Sequence, residues 1–301
     1  MTISTLSIVN LLIIILLAPL FEGIIRKLKA IVHSRKGPPI LQPYLDIIKL
    51  LGKEDLRVSN NILIVLAPIV CFASVLMVAM LIPIGSISSP LEMGGDVIVT
   101  IYFMSLATFS ILIGAAATES PYAYIGLTRE MMLYMILEVI VVVSILTGVV
   151  RSGSFQFSKI ILWNLKNGPT LSMIVAAIPF FLVIQAMIAK LPFDVAEAEQ
   201  EIMEGPFIEA SGPRLALFKW SFYAKQIIYT SIFLEIFIPW PKTYNLPTDM
   251  AINLGKVLIV MLLVGVIDVT NPRLRIDQAI RYYTGVSIIA LVALAFASIG
   301  V

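Results

Sequence analysis

The chain has 301 residues, 59% of them apolar and 13% charged, with a net charge of +2 and a mean hydropathy of +0.99. So apolar a composition excludes a water-soluble domain, and so small a net charge gives no ground for nucleic-acid binding. One cysteine (Cys71) and one histidine (His33) exclude a disulfide framework and the four thiolates of an iron–sulfur cluster, so any redox cofactor has to sit in a partner.

In chain order, apolar runs near the ~20 residues that cross ~30 Å of hydrocarbon fall at 4–25, 62–84, 97–118, 131–150, 171–190, 215–239, 252–270 and 284–301. They predict an all-α polytopic membrane protein, one domain of eight transmembrane helices. Their unbroken length excludes a β-barrel of alternating strands. The first run has no basic segment before it and no small-residue cleavage site, so it reads as a retained span. The loop after it holds "ILQPYLDIIKLLGKED", with Leu41, Tyr44, Leu45, Ile48 and Leu51 on one helical face and Asp46, Lys49 and Lys53 on the other. That pattern predicts a short amphipathic helix lying flat at the membrane surface. Sixteen of the 21 Lys and Arg residues fall on the side of the odd-to-even loops, and only Arg151, Lys159, Lys166, Lys242 and Lys256 on the other. By the positive-inside rule both termini face away from the cytoplasm of a multi-pass plasma-membrane protein. Trp163, Trp220 and Trp240 stand near predicted span ends, as belt residues do.

Ionisable residues interrupt these runs. Glu138 lies about two turns inside the fourth, in an i, i+4, i+8 row with Tyr134 and Glu130. Glu119 closes the third run, Glu22 and Glu235 lie within the first and sixth, and Lys219 and Lys225 enter the sixth. Each charge at membrane depth costs a few kcal/mol or more, so the expectation is a water-filled path or buried ion pairs. The segment "KLPFDVAEAEQEIMEGPFIEASGPR" holds six of the nineteen acids. On a helix, Asp194, Glu197, Glu201 and Glu204 fall within an ~80° arc while Glu199 points elsewhere. Neighbours of like charge repel, so such a stripe beside a membrane shares protons or recruits cations, here Lys190, Arg214, Lys219 and Lys225. Interleaved Leu191, Phe193, Val195, Ile202, Met203, Phe207 and Ile208 imply that the segment buries surface, against the reading of a plain solvated loop. The expected proton or ion pathway is therefore Glu119, Glu130, Glu138, Asp194, Glu197, Glu199, Glu201, Glu204, Lys219, Lys225 and Glu235. No Gly-rich phosphate loop and no metal-ligand spacing are present; His33 reads as a surface histidine.

Three stretches carry a resemblance: "SRKGPPILQPYLDIIKLLGKE" (34–54), "PFDVAEAEQEIMEGPFIEASGPRLALF" (192–218) and "RLRIDQAIRYY" (273–283). Together they resemble, in order and over nearly the whole chain, the eight-helix heel subunit of respiratory complex I, which joins the peripheral redox arm to the membrane arm. The resemblance implies that the acids after the fifth helix belong to the path linking the redox site to antiporter-like subunits. It also implies that Arg129 and Glu138 match the family's Arg followed nine residues later by an intramembrane Glu. Two features depart from quinone-reducing members. "GPPILQP" is shorter by about half a dozen residues, and the family's Glu-Arg-Lys reads Ile25-Arg26-Lys27, with Glu22 one turn earlier. The compact loop and "SPYAYIGLTRE" look more like energy-converting membrane-bound [NiFe] hydrogenases and the formate hydrogenlyase group.

The implied role is a non-catalytic anchor and coupling subunit. It binds no cofactor itself and relies on iron–sulfur clusters and a NiFe centre in its partners. The implied partners are an iron–sulfur small subunit, a hydrogenase-like large subunit, antiporter-like membrane subunits and lipid. Loops 26–61 and 190–214 combine dense mixed charge with interleaved apolar residues, the pattern of an interface rim around anchors. The expected partner contacts are Arg35, Lys36, Asp46, Lys49, Lys53, Arg129, Arg214, Arg273, Arg275 and Asp277. Alternatives are the same subunit in a sulfur- or quinone-reducing relative, a purely structural anchor, and a stand-alone secondary transporter. Against the last, the sequence shows no repeated half and no paired interrupted helices.

Overall fold

The computed structural model describes residues 3–56, 61–86, 88, 91, 95–196, 198–243 and 245–300, and every regular element among them is helical. In order these are α1 (Ile3–Val32), α2 (Gln42–Leu51), α3 (Ile62–Leu81), α4 (Asp96–Ala116), α5 (Pro121–Ser152) and α6 (Phe157–Asn167). They continue with α7 (Leu171–Met187), α8 (Glu199–Ile202), a 3-10 turn (Gly205–Phe207), α9 (Gly212–Phe237), α10 (Leu246–Thr270) and α11 (Ile276–Ile299). Local chemistry sets several of the boundaries. The Asn61 side chain caps α3 by accepting from the Leu63 amide at 3.0 Å. Pro43 and Pro121 open α2 and α5 where a missing N–H costs nothing, and Gly153 ends α5 in the left-handed conformation.

Among the described residues six helices are long and apolar enough to cross a membrane: α1, α3, α4, α5, α10 and α11. The other two predicted runs are also helical. One is α7, with 17 residues; the other is α9, with 26 residues and with Arg214, Lys219, Lys225 and Glu235 along it. The protein is thus an all-helical polytopic membrane protein.

α9 sits at the centre, packed against α1, α2, α3, α6, α7 and α10 and buried along nearly its whole length. A helix apolar on one face only could not be buried all round; α9 manages it because its polar groups find partners inside the protein. Trp220 belongs to this centre. Half-buried, it packs on Phe72 with ring centroids 5.5 Å apart and donates its indole N–H to the Ile15 carbonyl at 3.1 Å.

Two short helices lie outside the long bundle. α2 buries Pro43 and Ile47 against α1 and α9 and leaves Leu41, Leu45, Ile48 and Leu51 exposed. α6, which the apolar-run reading missed because it is only 11 residues long, buries Phe157, Ile160 and Ile161. Its Asn164 donates to the Ile236 carbonyl at 2.8 Å.

The acidic segment is not the continuous helix its spacing suggested. Among the described residues of 194–204 only Glu199–Ile202 is α-helical, and Met203 and Glu204 both have positive φ, at 50° and 65°. The reason is partly repulsion along a like-charged face and partly that arginines on other elements draw the acids apart. Asp194 is held by Arg273 at 2.7 Å, and Glu201 by Arg129 at 2.8 Å. Gly205 and Pro206 then turn the chain onto α5, where Gly126 lets the backbones meet. A Cβ at 126 would stand 2.6 Å from Pro206 Cδ and 2.8 Å from Gly205 Cα.

Candidate functional site: a buried charge network and its cavity

The network starts at Glu22, on α1 and 5% exposed. Its carboxylate accepts from Lys190 Nζ at 2.8 Å, Gln226 Nε2 at 2.9 Å and Arg26 Nε at 3.2 Å. Arg26 is shared further: it donates to Asp46 of α2 at 3.1 Å and to the Tyr223 hydroxyl of α9 at 2.8 Å. Gln42 donates to the other Asp46 oxygen at 2.9 Å. One carboxylate thus ties α1, α2, α9 and the segment after α7 together. Nearby, Asp268 of α10 pairs with Lys29 and accepts from the Leu191 amide at 3.0 Å.

Beside Glu22 opens a cavity of about 230 Å³, with Arg26, Lys190, Asp194, Glu204, Lys219, Tyr223 and Gln226 among its lining. Its carboxylates, Glu22, Asp194 and Glu204, face an equal number of cations, Arg26, Lys190 and Lys219. A space so lined has room for water beside its charged groups. Phe207, Phe218 and Phe222 close one wall, with ring centroids 5.0 and 5.5 Å apart.

The opposite face of α9 carries Lys225, 3% exposed, which donates to Thr108 of α4 at 3.3 Å and sits 5.4 Å over the Phe222 ring. Glu130, half-buried on α5, lies within electrostatic reach of Lys225 and of Asp194. Two turns further along α5, Glu138 bonds to the Ser105 hydroxyl of α4, in a small cavity that Tyr134 and Tyr229 also line. The structure therefore brings Asp194, Glu204, Lys219, Lys225, Glu130 and Glu138 into one region around α9.

Other candidates lie apart. Glu235 is at the far end of α9, ~13 Å of helix rise beyond Gln226. There it accepts from Lys242 at 3.1 Å, Asn253 at 2.5 Å and the Gly85 amide at 2.7 Å. Glu119 is exposed, on a separate cleft of about 330 Å³ with Glu209 and Arg214. Glu201 is exposed, and the Arg129 hydrogen bond holds its carboxyl below the ordinary glutamate range. Glu197 lies outside the described residues, and Glu199 is placed as the first residue of α8.

Among the expected partner contacts, Arg35, Lys36, Lys49, Lys53, Arg275 and Asp277 are exposed. The rest serve inside the chain: Asp46 holds Arg26, Arg129 holds Glu201, Arg273 holds Asp194, and Arg214, 5% exposed, holds Asp55 at 2.5 Å. Ser105, Thr108 and Asp268 were missed by sequence reasoning. Asp268 carried the same signal as Glu22, an acid inside an apolar run, whereas hydroxyls in such a run are most often back-bonded to their own helix and nothing in the spacing singles out Ser105 or Thr108.

The fold and this network define a polytopic helical membrane protein organised around buried, paired charges. Residues 5–299 match the NADH dehydrogenase family model, and the chain belongs to that family. It is 35% identical over 272 residues to "Hydrogenase-4 component C" of Escherichia coli K12, covering 87% of this chain and 85% of that one. It is 33% identical to "Formate hydrogenlyase subunit 4" of the same organism, covering 89% and 90%. An NADH-quinone oxidoreductase subunit of Geobacillus sp. WCH70 is 31% identical, with 84% and 80% covered. In structure the chain is similar to a chain of the archaeal membrane-bound sulfane sulfur reductase, with a TM-score of 0.89, 27% identity and 98% and 99% of the two chains covered. The resemblance read from the three motifs stands.

Glu22 is buried and holds three partners at once. Glu22→Gln removes the direct ion-pair partner of the largely buried Lys190 ammonium, a change that costs up to about 3–5 kcal/mol. The expected result is a lower melting temperature of the purified complex, partly restored when Lys190→Met removes the orphaned charge. Melting of Glu22→Gln at the wild-type temperature would contradict the pairing.

Proposed function

We propose that this protein is the membrane-embedded coupling subunit of a complex-I-related, ion-translocating redox complex of the hydrogenase type. Its carboxylates and lysines relay charge between a peripheral iron–sulfur arm and antiporter-like membrane subunits. The observation that carries the reading is the polar connection across α9. The charged cavity at Glu22, Asp194, Glu204 and Lys219 lies on one side, and Lys225, Glu130 and Glu138 on the other. The two hydrogenase-related relatives support the hydrogenase type. The likeness to the sulfane sulfur reductase favours a second reading, in which the same subunit serves a sulfur-reducing complex. Iron–sulfur clusters and a NiFe centre belong, on this proposal, to the partners.

The proposal includes eight spans, α1, α3, α4, α5, α7, α9, α10 and α11. With 17 residues α7 rises ~26 Å, close to the hydrocarbon thickness. The charges of α9 are shielded from lipid by the helices around it. α2 lies at one membrane surface with its exposed leucines toward lipid, and both termini lie away from the cytoplasm. The exposed cations Arg35, Lys36, Lys49 and Lys53, with Arg275 and Asp277, form the docking face for the iron–sulfur and large subunits. Crosslinking mass spectrometry of the intact complex checks that face. Lys36, Lys49 and Lys53 should link to peripheral subunits, and links to membrane subunits alone would remove it.

Glu138→Gln tests the relay. The amide keeps shape and hydrogen bonding but holds no exchangeable charge. Assembly and redox turnover should survive while redox-driven ion pumping into vesicles drops severalfold. Pumping at wild-type stoichiometry would make Glu138 a structural residue.

A further inference from the structure

Around Glu138 the structure shows more than a carboxylate. Ser105 bonds to Glu138 Oε1 and also lies 3.0 Å from the Ile101 carbonyl, one turn back on α4. A hydroxyl has one hydrogen and here two acceptors, so only one of the two contacts can be a donation from Ser105 at a time. When Glu138 is ionised, the Ser105 O–H has to point at the carboxylate. When Glu138 is protonated, its own O–H can donate to Ser105 Oγ, and the serine hydrogen turns to Ile101. Each state is fully bonded, and the two differ by the one proton that Glu138 carries.

On the same small cavity lies Thr100, 1% exposed, with its hydroxyl unpartnered. The other buried hydroxyls of this helix, Ser105, Thr108 and Ser110, back-bond to carbonyls of their own helix at 3.0, 3.5 and 2.7 Å; that of Thr100 does not. A hydroxyl buried with no partner is costly and calls for one. The cavity measures about 20 Å³, enough for a single water, and Glu138, Ser105, Tyr134 and Tyr229 supply further polar groups on its wall.

We propose that Thr100 and Glu138 hold one water in this cavity, and that Ser105 is the rotor that matches its hydrogen to the protonation state of Glu138. Glu138 then has a hydrogen-bond neighbour on each side: the serine at one carboxylate oxygen and the water at the other. The water is the neighbour through which Glu138 can take up or release its proton, while Ser105 keeps the carboxyl hydrogen-bonded in both states. Ser105 and Thr100 are positioning residues acting through Glu138. The inference rests on the relay reading of Glu138, which the same experiment tests separately.

The experiment is redox-triggered infrared difference spectroscopy on the intact complex in membranes, with pumping measured on the same samples. The Glu138 carboxyl band is the one that disappears in Glu138→Gln. Ser105→Ala should move that band to higher frequency, as expected for a lost hydrogen bond, and Ser105→Thr should return it. Thr100→Val should abolish a water O–H band that shifts in H₂¹⁸O, and Thr100→Ser should restore it. Both Ala and Val variants should lower pumping severalfold with redox turnover retained. If Glu138→Gln stops pumping while Ser105→Ala and Thr100→Val leave the spectrum and pumping as in wild type, rotor and water are wrong and the relay stands. If no redox-dependent band belongs to Glu138 and its Gln variant pumps normally, the relay reading itself fails.

Discussion

A carboxylate inside a membrane helix stays ionised only where the protein replaces the water it has lost, and Glu22 shows how this chain does so. Lys190, Arg26 and Gln226 reach it from three directions, and each of them belongs to a different part of the fold. The position of the loop after α7, the docking of α2 and the register of α1 against α9 all depend on satisfying that one charge. The close approach needed is visible at Gly23, where α1 meets the Ile40 carbonyl so tightly that no Cβ would fit.

The second constraint is that α9 must bring polar groups through the centre of an apolar protein. Its two faces divide the work. Tyr223 and Gln226 turn to α1 and the cavity, while Lys225 turns to α4. At the far end Glu235, Lys242, Asn253 and the Gly85 backbone form a closed cluster in which each Glu235 contact is a hydrogen bond or ion pair. Gly85, with φ of 72°, sits so near Asp249 that a side chain there would meet its backbone at 2.6 Å. The contrast between the two ends is chemical: a cavity with balanced charges at one, a packed and saturated ion pair at the other. On the proposed reading the first exchanges charge and the second anchors the helices.

Much of this was legible in the sequence because lipid imposes strong rules. The apolar runs mark all the long helices, and intramembrane acids mark Glu22, Glu138 and Glu235 as residues that need partners. Which partners they find was not legible. Lys190 and Glu22 are 168 positions apart, Gln226 and Glu22 are 204, and pairing at such separation leaves no periodic trace. The acidic stretch misled for a related reason. Its spacing fits a helical stripe, but Arg129 and Arg273, distant in sequence, pull Glu201 and Asp194 to different sides and break the helix that spacing alone would allow. The hydroxyls of α4 were hidden because Ser and Thr in a span have an ordinary use, back-bonding to their own helix.

The central claim is that the cavity and Glu138 belong to one path rather than two independent sites. Glu130 is in electrostatic reach of Lys225 and Asp194 and on the same helix as Glu138. A double-mutant cycle of Glu130→Gln and Glu138→Gln, read as ions pumped per electron pair in sealed vesicles, measures this most directly. On one path the second substitution has little left to remove, so the double variant should pump no worse than the poorer single. Losses that multiply independently would contradict the account.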